Sequence, residues 1–550
     1  MTQTLTRRTA LAAAVALVPV IGRAQIPGLL ITGGPIYTGR GNAERVEAVA
    51  MRGDRIVFLG TVADARHAIP GAKAIDLGGG AAYPGLVDGH AHLTEIGLRE
   101  MTLNLEGTAS VGELQSRLRA WATTQPAGPV IGRGWIETHW PEQRFPTRAD
   151  LDAVIADRPV YLTRADGHAA VANSAALAFA GISGSTPAPA GGEILRDAKG
   201  EPTGLLVDNA KALIEGKLPT PGPAMRREAL IRADRLYRAR GWTGVHSMSV
   251  DQGDLAILRD LARGGDWGLR VDNYMDPISA DEVLRTGPTI DASGKIRLRG
   301  IKLYADGALG SRGAALLAPY DDKPGWTGLL LTPQDQVVDW MRKAKAVGAQ
   351  VAIHAIGDRG NRLALDAMQS VLGPARTDRR WRVEHAQILS PADLPRFAAM
   401  GVTASMQPSH AIGDLYFAAA RLGAERLKGA YAWNSLLKSG AVVCGGSDAP
   451  VERGDPLVEF YAASYRHALN GFSGPDWGLD EAVSRVQALT MFTAAAAYAI
   501  GRERELGTLE VGKRADLTVF SRDLMTIPFI EIPKADAKMT VIAGRIVHGG

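Results

Sequence analysis

Hydrophobic and polar positions fall into two textures along this chain. Over residues 28–82 they alternate in short runs broken by glycine, as in LLITGGPIYTG, RVEAVAMRGDRIVFLG and AKAIDLGGG. The last stretch, 507–550, repeats the texture in GTLEVGKRADLTVF and MTVIAGRIVHGG. A period of two predicts half-buried strands, and GDRIV at 53–57 and GRIV at 544–547 read as matching hairpin turns. Closely spaced strands at both ends predict one small β-sandwich assembled from residues 25–82 and 507–550.

Between them, over 83–506, the pattern becomes an amphipathic helix, a glycine, then an apolar run. LIRADRLYRARG leads to WTGVHSM, VVDWMRKAKAVG to AQVAIHA, LPRFAAMG to VTASMQP, and AWNSLLKSG to AVVCGGSD, with Gly241, Gly348, Gly401 and Gly440 where helices should end. Eight strands are expected, at 81–90, 242–248, 268–274, 296–306, 350–355, 381–386, 402–407 and 441–448. Eight strands alternating with helices predict an α/β fold, a (β/α)₈ TIM-like barrel whose site lies at the C-terminal strand ends. Residues 93–241 are too long for one crossover and read as the first barrel helix plus an inserted lid or subdomain.

Composition agrees with a large core: 46% hydrophobic and 22% charged over 550 residues. The net charge of +4, without basic runs, argues against nucleic acid; the partner expected is a small-molecule substrate. At the N-terminus, Arg7 and Arg8 precede a short apolar run from Ala10 to Ile21, with small Gly22 and Ala24 after it. Residues 1–24 therefore read as a twin-arginine-type signal, too short for a stable membrane span, which implies the export machinery as a partner and a periplasmic or secreted destination. A cytosolic leader or retained anchor is the alternative. Cys444 is the single cysteine, so no intrachain disulfide is available.

The chain has 11 histidines, and several end apolar runs. GLVDGHAHL sets His90 and His92 two apart, on one side of a strand, where both can grip one ion. His354 ends VAIHA, His385 ends RVEHA, and Asp448 ends VVCGGSD. Each alone could be a structural histidine or a helix cap. Gathered at one barrel mouth, they are candidate ligands for a divalent metal, zinc first, with manganese, iron or cobalt open. Such an ion acidifies water and polarises a carbonyl, and Asp448 is the candidate general base. Lys302, in the buried run RGIKLYADG, needs a partner or a lowered pKa.

PGLVDGHAHL, GIKLYADGALGSRGAAL, HAIGDRG, RVEHAQ, GSDAPVE and GTLEVGKRADLTVF together resemble the amidohydrolase superfamily, in the branch typified by N-substituted formamide deformylases (amidohydrolase family 3), over roughly 28–550. The resemblance implies a metal-dependent barrel with a small β-sandwich. It also implies that His90, His92 and Asp448 hold a buried metal, that His354 and His385 hold a second, and that Lys302, carboxylated to N6-carboxylysine, bridges the two. An unmodified Lys302 paired with Asp306, or one reaching the mouth, is the alternative. One or two metals per chain remain open.

Further candidates for substrate contact are His168 in RADGHAAVANSAAL, His246 after WTGV, Arg312 after strand 4, His410 after MQPS, and Trp135 in the insert. Each has a structural alternative as cap, hydrogen-bond donor or packing. The branch more often has threonine after GSR, where this chain has Gly313. His67, His467 and His548 read as surface residues.

The expected activity is hydrolysis of amide-type C–N bonds in N-substituted formamides or N-acyl compounds. A mononuclear deaminase or an esterase or lactonase using the same site is the enzymatic alternative. A catalytically silent periplasmic binding protein is the alternative of another class, against which the intact ligand positions speak.

Overall fold

The computed structural model describes residues 28–137, 140–165, 167, 169–189, 192–474 and 477–550. The leader expected over 1–24 lies outside the described residues, and among them no helix is long and apolar enough to cross a membrane.

Eight parallel strands form the central sheet: strand 1 Leu86–Ala91, strand 2 Trp242–Val250, strand 3 Arg270–Met275, strand 4 Ile296–Tyr304, strand 5 Gln350–Ala355, strand 6 Arg382–His385, strand 7 Thr403–Met406 and strand 8 Val443–Gly445. Each pairs with its neighbour in chain order. Where the end of strand 1 meets the residues following strand 8, Ala91 and Ala449 form a parallel bridge, Asp448 N donates to His90 O at 2.7 Å, and His92 N donates to Ala449 O at 2.8 Å. The sheet is thus a nearly closed barrel. Near-continuous apolar runs make these strands because both faces are covered. Gly241, Gly348, Gly401 and Gly440 all take positive φ, as residues that end a helix in the left-handed region do.

The chain ends build two further sheets. One, in the order Arg55–Gly60, Ala48–Arg52, Gly28–Thr32, Lys73–Asp76, comes from the N-terminal part alone. The other mixes both ends, in the order Arg545–Gly549, Ala537–Ile542, Leu517–Phe520, Ala81–Pro84, Ile36–Tyr37, Arg45–Val46. Ile31, Val49 and Met51 share one apolar core with Leu517, Val519 and Val541. Both expected hairpins form, at 52–55 and 542–545.

The run 81–90, expected as one barrel strand, is two. Ala81–Pro84 pairs antiparallel with Leu517–Phe520 in the mixed sheet, whereas Leu86–Ala91 pairs with strand 2. Thr518 Oγ1 accepts the Leu86 N–H at 3.4 Å and donates to Gly241 O at 2.7 Å, tying the two layers together at the break. A stronger tie is the buried pair of Arg270 and Asp516, with Nε–Oδ2 at 2.6 Å and Nη2–Oδ1 at 2.9 Å.

In residues 93–241 an insert of a six-stranded sheet with helices of its own, among them Val111–Thr124 and Ser174–Ala180, is flanked by the helices Leu93–Glu100 and Pro223–Arg240. The helices cross closely because position 97 is glycine: a Cβ there would lie 1.8 Å from Ala229 O. The inserted sheet has its own core, including Leu103, Val130, Trp140, Leu162 and Val171.

Candidate metal centre

His90 and His92 flank Ala91 at the end of strand 1, and the backbone bonds across the seam bring Asp448 to them from strand 8. Asp448 Oδ1 lies 3.2 Å from His90 Nε2 and 3.2 Å from His92 Nε2. One donor atom from each of these residues falls within 4.8 Å of the others, the spacing a single ion can bridge. Asp448 holds φ 59 and His385 φ 71, left-handed values uncommon for non-glycine residues and concentrated at functional sites.

The orientation of His90 is set from behind. Its Nδ1 is 2.6 Å from Glu384 Oε2, so the Nδ1–H donates to the carboxylate and the Nε2 lone pair faces Asp448 and its surroundings. Glu384 is in turn gripped by Arg382, with Nε–Oε1 at 2.5 Å and Nη2–Oε2 at 2.9 Å. Burial opposes ionising Glu384, but the guanidinium and His90 outweigh it and hold the carboxyl well below its usual range. Arg382 also donates to Gly89 O at 2.5 Å and Ser405 Oγ at 2.6 Å. This network was not anticipated, although RVEH carried its signal: Arg382 and Glu384 are two apart on a closed-barrel strand, so both face inward.

On the other side, His385 Nδ1 meets Gln407 Oε1 at 2.8 Å, which leaves its Nε2 free. The His385 ring centre lies 4.9 Å from that of His90, 4.5 Å from that of His354 and 5.8 Å from that of His410. His410 Nε2 is 3.5 Å from Asp448 Oδ2, and His385, His410 and Asp448 form a second group able to hold an ion. The Nε2 atoms of His354 and His410 are buried with no hydrogen-bond partner. Burial, reinforced by the Lys302 charge, pushes the His354 pKa down to about 3, and burial lowers His385 and His410 as well. All three are therefore neutral imidazoles, the form that binds metal. Burial opposes ionising Asp448 too, but His90, His92 and His385 hold its carboxyl well below the usual range. Nitrogen and carboxylate donors with orphaned lone pairs fit a divalent cation of the zinc type.

Lys302 is 1% exposed, with Nζ 3.4 Å from His90 Nε2, and burial lowers its pKa. Asp306 is not its partner. That carboxylate accepts the N–H groups of Ala315 at 2.8 Å, Ile356 at 2.9 Å and Gly357 at 2.8 Å. Among the described residues no carboxylate pairs with Lys302 within 4 Å.

The substrate candidates separate. His410 joins the candidate ligands. His246 does not reach the mouth: it is fully buried, and because a guanidinium only donates, its Nδ1 accepts from Arg382 Nη1 at 2.9 Å. Trp135 is a core residue of the inserted sheet, fully buried with Nε1 donating to Leu162 O at 2.8 Å, so it lines no opening. Arg312 makes a two-point pair with Asp322, at 3.0 and 2.8 Å, within its own loop. His168 lies outside the described residues.

The comparisons agree with this geometry. Residues 73–548 match the model of the amidohydrolase family. The YtcJ protein of Bacillus subtilis strain 168 is 34% identical over 528 residues, covering 94% of this chain and 98% of that one. The N-substituted formamide deformylase of Arthrobacter pascens is 29% identical over 537 residues, covering 94% and 98%. Among solved structures, an uncharacterized metal-dependent hydrolase from Pyrococcus horikoshii OT3 superposes with a TM-score of 0.75 at 28% identity, covering 91% of this chain and 99% of that chain. A barrel with histidines and an aspartate at its strand ends defines a metal-dependent hydrolase of the amidohydrolase superfamily. This chain belongs to the amidohydrolase family, family 3.

Proposed function

We propose that this protein hydrolyses the C–N bond of a small N-formyl or N-acyl compound. The observation that carries this reading is the His90–His92–Asp448 group, oriented by Glu384 and backed by a buried Lys302, in a chain that resembles an N-substituted formamide deformylase throughout its length. His90, His92 and Asp448 would hold one divalent cation, zinc by donor chemistry, and His385 and His410, sharing Asp448 and with His354 beside them, could hold a second. When bound, such an ion lowers the pKa of water toward about 7 and polarises a carbonyl. Asp448, ionised at neutral pH, takes the proton of the attacking water and returns it to the departing nitrogen as the C–N bond breaks. Lys302 as a neutral amine can add CO₂, and the resulting carbamate supplies an anionic oxygen next to His90. The Arg7–Arg8 leader would carry the folded protein out of the cytosol.

Metal analysis of purified protein, coupled to turnover of a panel of N-formyl amines, N-acyl amines, esters, lactones and aminated heterocycles, tests the reading. One or two transition metals per chain with turnover of the N-formyl or N-acyl members supports it. Release of ammonia from the heterocycles alone would replace it with a deaminase, and metal-independent ligand binding without turnover with a binding protein. Fractionation of cells expressing Arg7→Lys/Arg8→Lys protein tests export.

A further inference from the structure

Strand 4 sends two polar side chains inward at alternate positions, Lys302 and then Tyr304. Leu303 and Ala305, to either side of the tyrosine, are 2% and 0% exposed, whereas Tyr304 is only partly buried. It is thus in part reached by solvent while standing beside the candidate ligands. The ring centre is 5.3 Å from Lys302 Nζ and 6.0 Å from the His354 ring, and the two residues are paired in register across strands 4 and 5.

The Tyr304 hydroxyl is held by Ser249 Oγ in a short hydrogen bond. Ser249 sits near the end of strand 2 with φ 56, a left-handed value for a non-glycine residue. The bond has a stoichiometric consequence. Two hydroxyls carry two protons but share one hydrogen bond, so one O–H remains to donate whichever oxygen gives the shared proton. No other protein acceptor takes it among the described residues.

We propose that the Tyr304–Ser249 hydroxyl pair is a substrate-positioning element that donates its spare O–H to the carbonyl oxygen of the bound acyl group. This deepens the hydrolase reading above and rests on it. A carbonyl oxygen is the group a spare donor suits best, because negative charge grows there as water attacks, and a fixed dipole in a low-dielectric site stabilises that charge without reorganising. The anchoring by Ser249 limits rotation of the phenol, so the donor points one way before substrate arrives.

The test compares full-length, zinc-loaded wild type with Tyr304→Phe, Ser249→Ala and the double variant. Metal content and thermal midpoint are measured first, and both should match wild type. Two readouts follow: kcat and KM on the best N-formyl or N-acyl substrate, and the calorimetric affinity for acetohydroxamate, a carbonyl-bearing metal chelator. Tyr304→Phe is expected to lower kcat about 30-fold, with KM changed less than threefold, and to weaken acetohydroxamate about tenfold. The double variant should be no worse than the poorer single one, because the hydroxyls act as a unit. Ser249→Ala, which leaves the phenol in place, guards against misfolding of the phenylalanine variant. Unchanged kcat and unchanged acetohydroxamate affinity in both single variants would overturn the proposal. If wild type turns over no amide, the hydrolase reading fails alone, and the acetohydroxamate ratio still decides the hydroxyl pair.

Discussion

Two buried polar groups of the barrel, the Arg270–Asp516 pair and the histidine cluster, are treated in opposite ways. Toward the foot, Arg270 and Asp516 spend two hydrogen bonds on each other, and Asp516 Oδ1 takes the Ala543 N–H at 2.8 Å as well. At the mouth, His354 and His410 keep buried Nε2 atoms with no partner, and Asp448 and His385 hold left-handed backbone. A satisfied pair joins barrel to sandwich, whereas the histidine nitrogens at the mouth stay unpaired, that of His410 3.5 Å from Asp448 Oδ2. Buried polar groups left unpaired cost stability, so neutral imidazoles left so beside an ionised carboxylate fit a place where a ligand completes the bonding.

Substitutions can break this contrast. Asp448→Asn should reduce turnover about 10³-fold, the middle of the range for a general base, while the thermal midpoint of metal-free protein holds or rises. A falling midpoint in calorimetry would make the mouth as structural as the foot. Asp516→Ala should do the reverse: it strands a buried guanidinium at a cost of about 3–5 kcal/mol, while kcat per folded molecule stays within twofold.

The same pair predicts an acid limb. Burial opposes ionising Asp516, but Arg270 outweighs it and holds the carboxyl below its usual range. A folded-state pKa below the unfolded one gives stability that is present above about pH 4 and lost as pH falls through the folded value. Midpoints measured from pH 3 to 6 should fall less steeply in Asp516→Ala than in wild type. Glu384→Gln should weaken metal binding about 10–100-fold, read by competition with a chelator, because His90 loses its charged anchor. The smallest effect is expected from Arg312→Ala. Its pair with Asp322 is partly solvent-exposed, so the loss should be under about 1 kcal/mol, with turnover within twofold. A larger drop in kcat/KM would return Arg312 to the substrate.

Much of the barrel was legible because buried parallel strands are apolar runs, and a polar residue at the end of such a run stands out, as His354, His385 and Asp448 do. The boundary at residue 85 was legible only as the Pro84–Gly85 step inside AAYPGLVDGH. That dipeptide marks a break, but the partners, Leu517–Phe520 for one half and strand 2 for the other, show that it parts two sheets. His246 looked like His354 because both end the same kind of run, but a guanidinium contributed by strand 6 decides what the imidazole can do. Trp135 was open between lining and packing until the inserted sheet closed over it. Pairings across distant strands, not local preferences, settled each of these.

The seam between strands 1 and 8 also constrains when the site can exist. Asp88 accepts from both the backbone N–H and the hydroxyl of Ser447, at 2.9 and 2.6 Å, across 359 positions of chain. His90 and Asp448 sit beside those two residues, so the group that would hold the first ion cannot assemble on a nascent chain still missing strand 8. Contacts of such long range make closure a late event in folding. Capture of an ion by His90, His92 and Asp448 together would therefore wait until synthesis is nearly complete, and a prematurely terminated chain would lack the carboxylate that both candidate groups share.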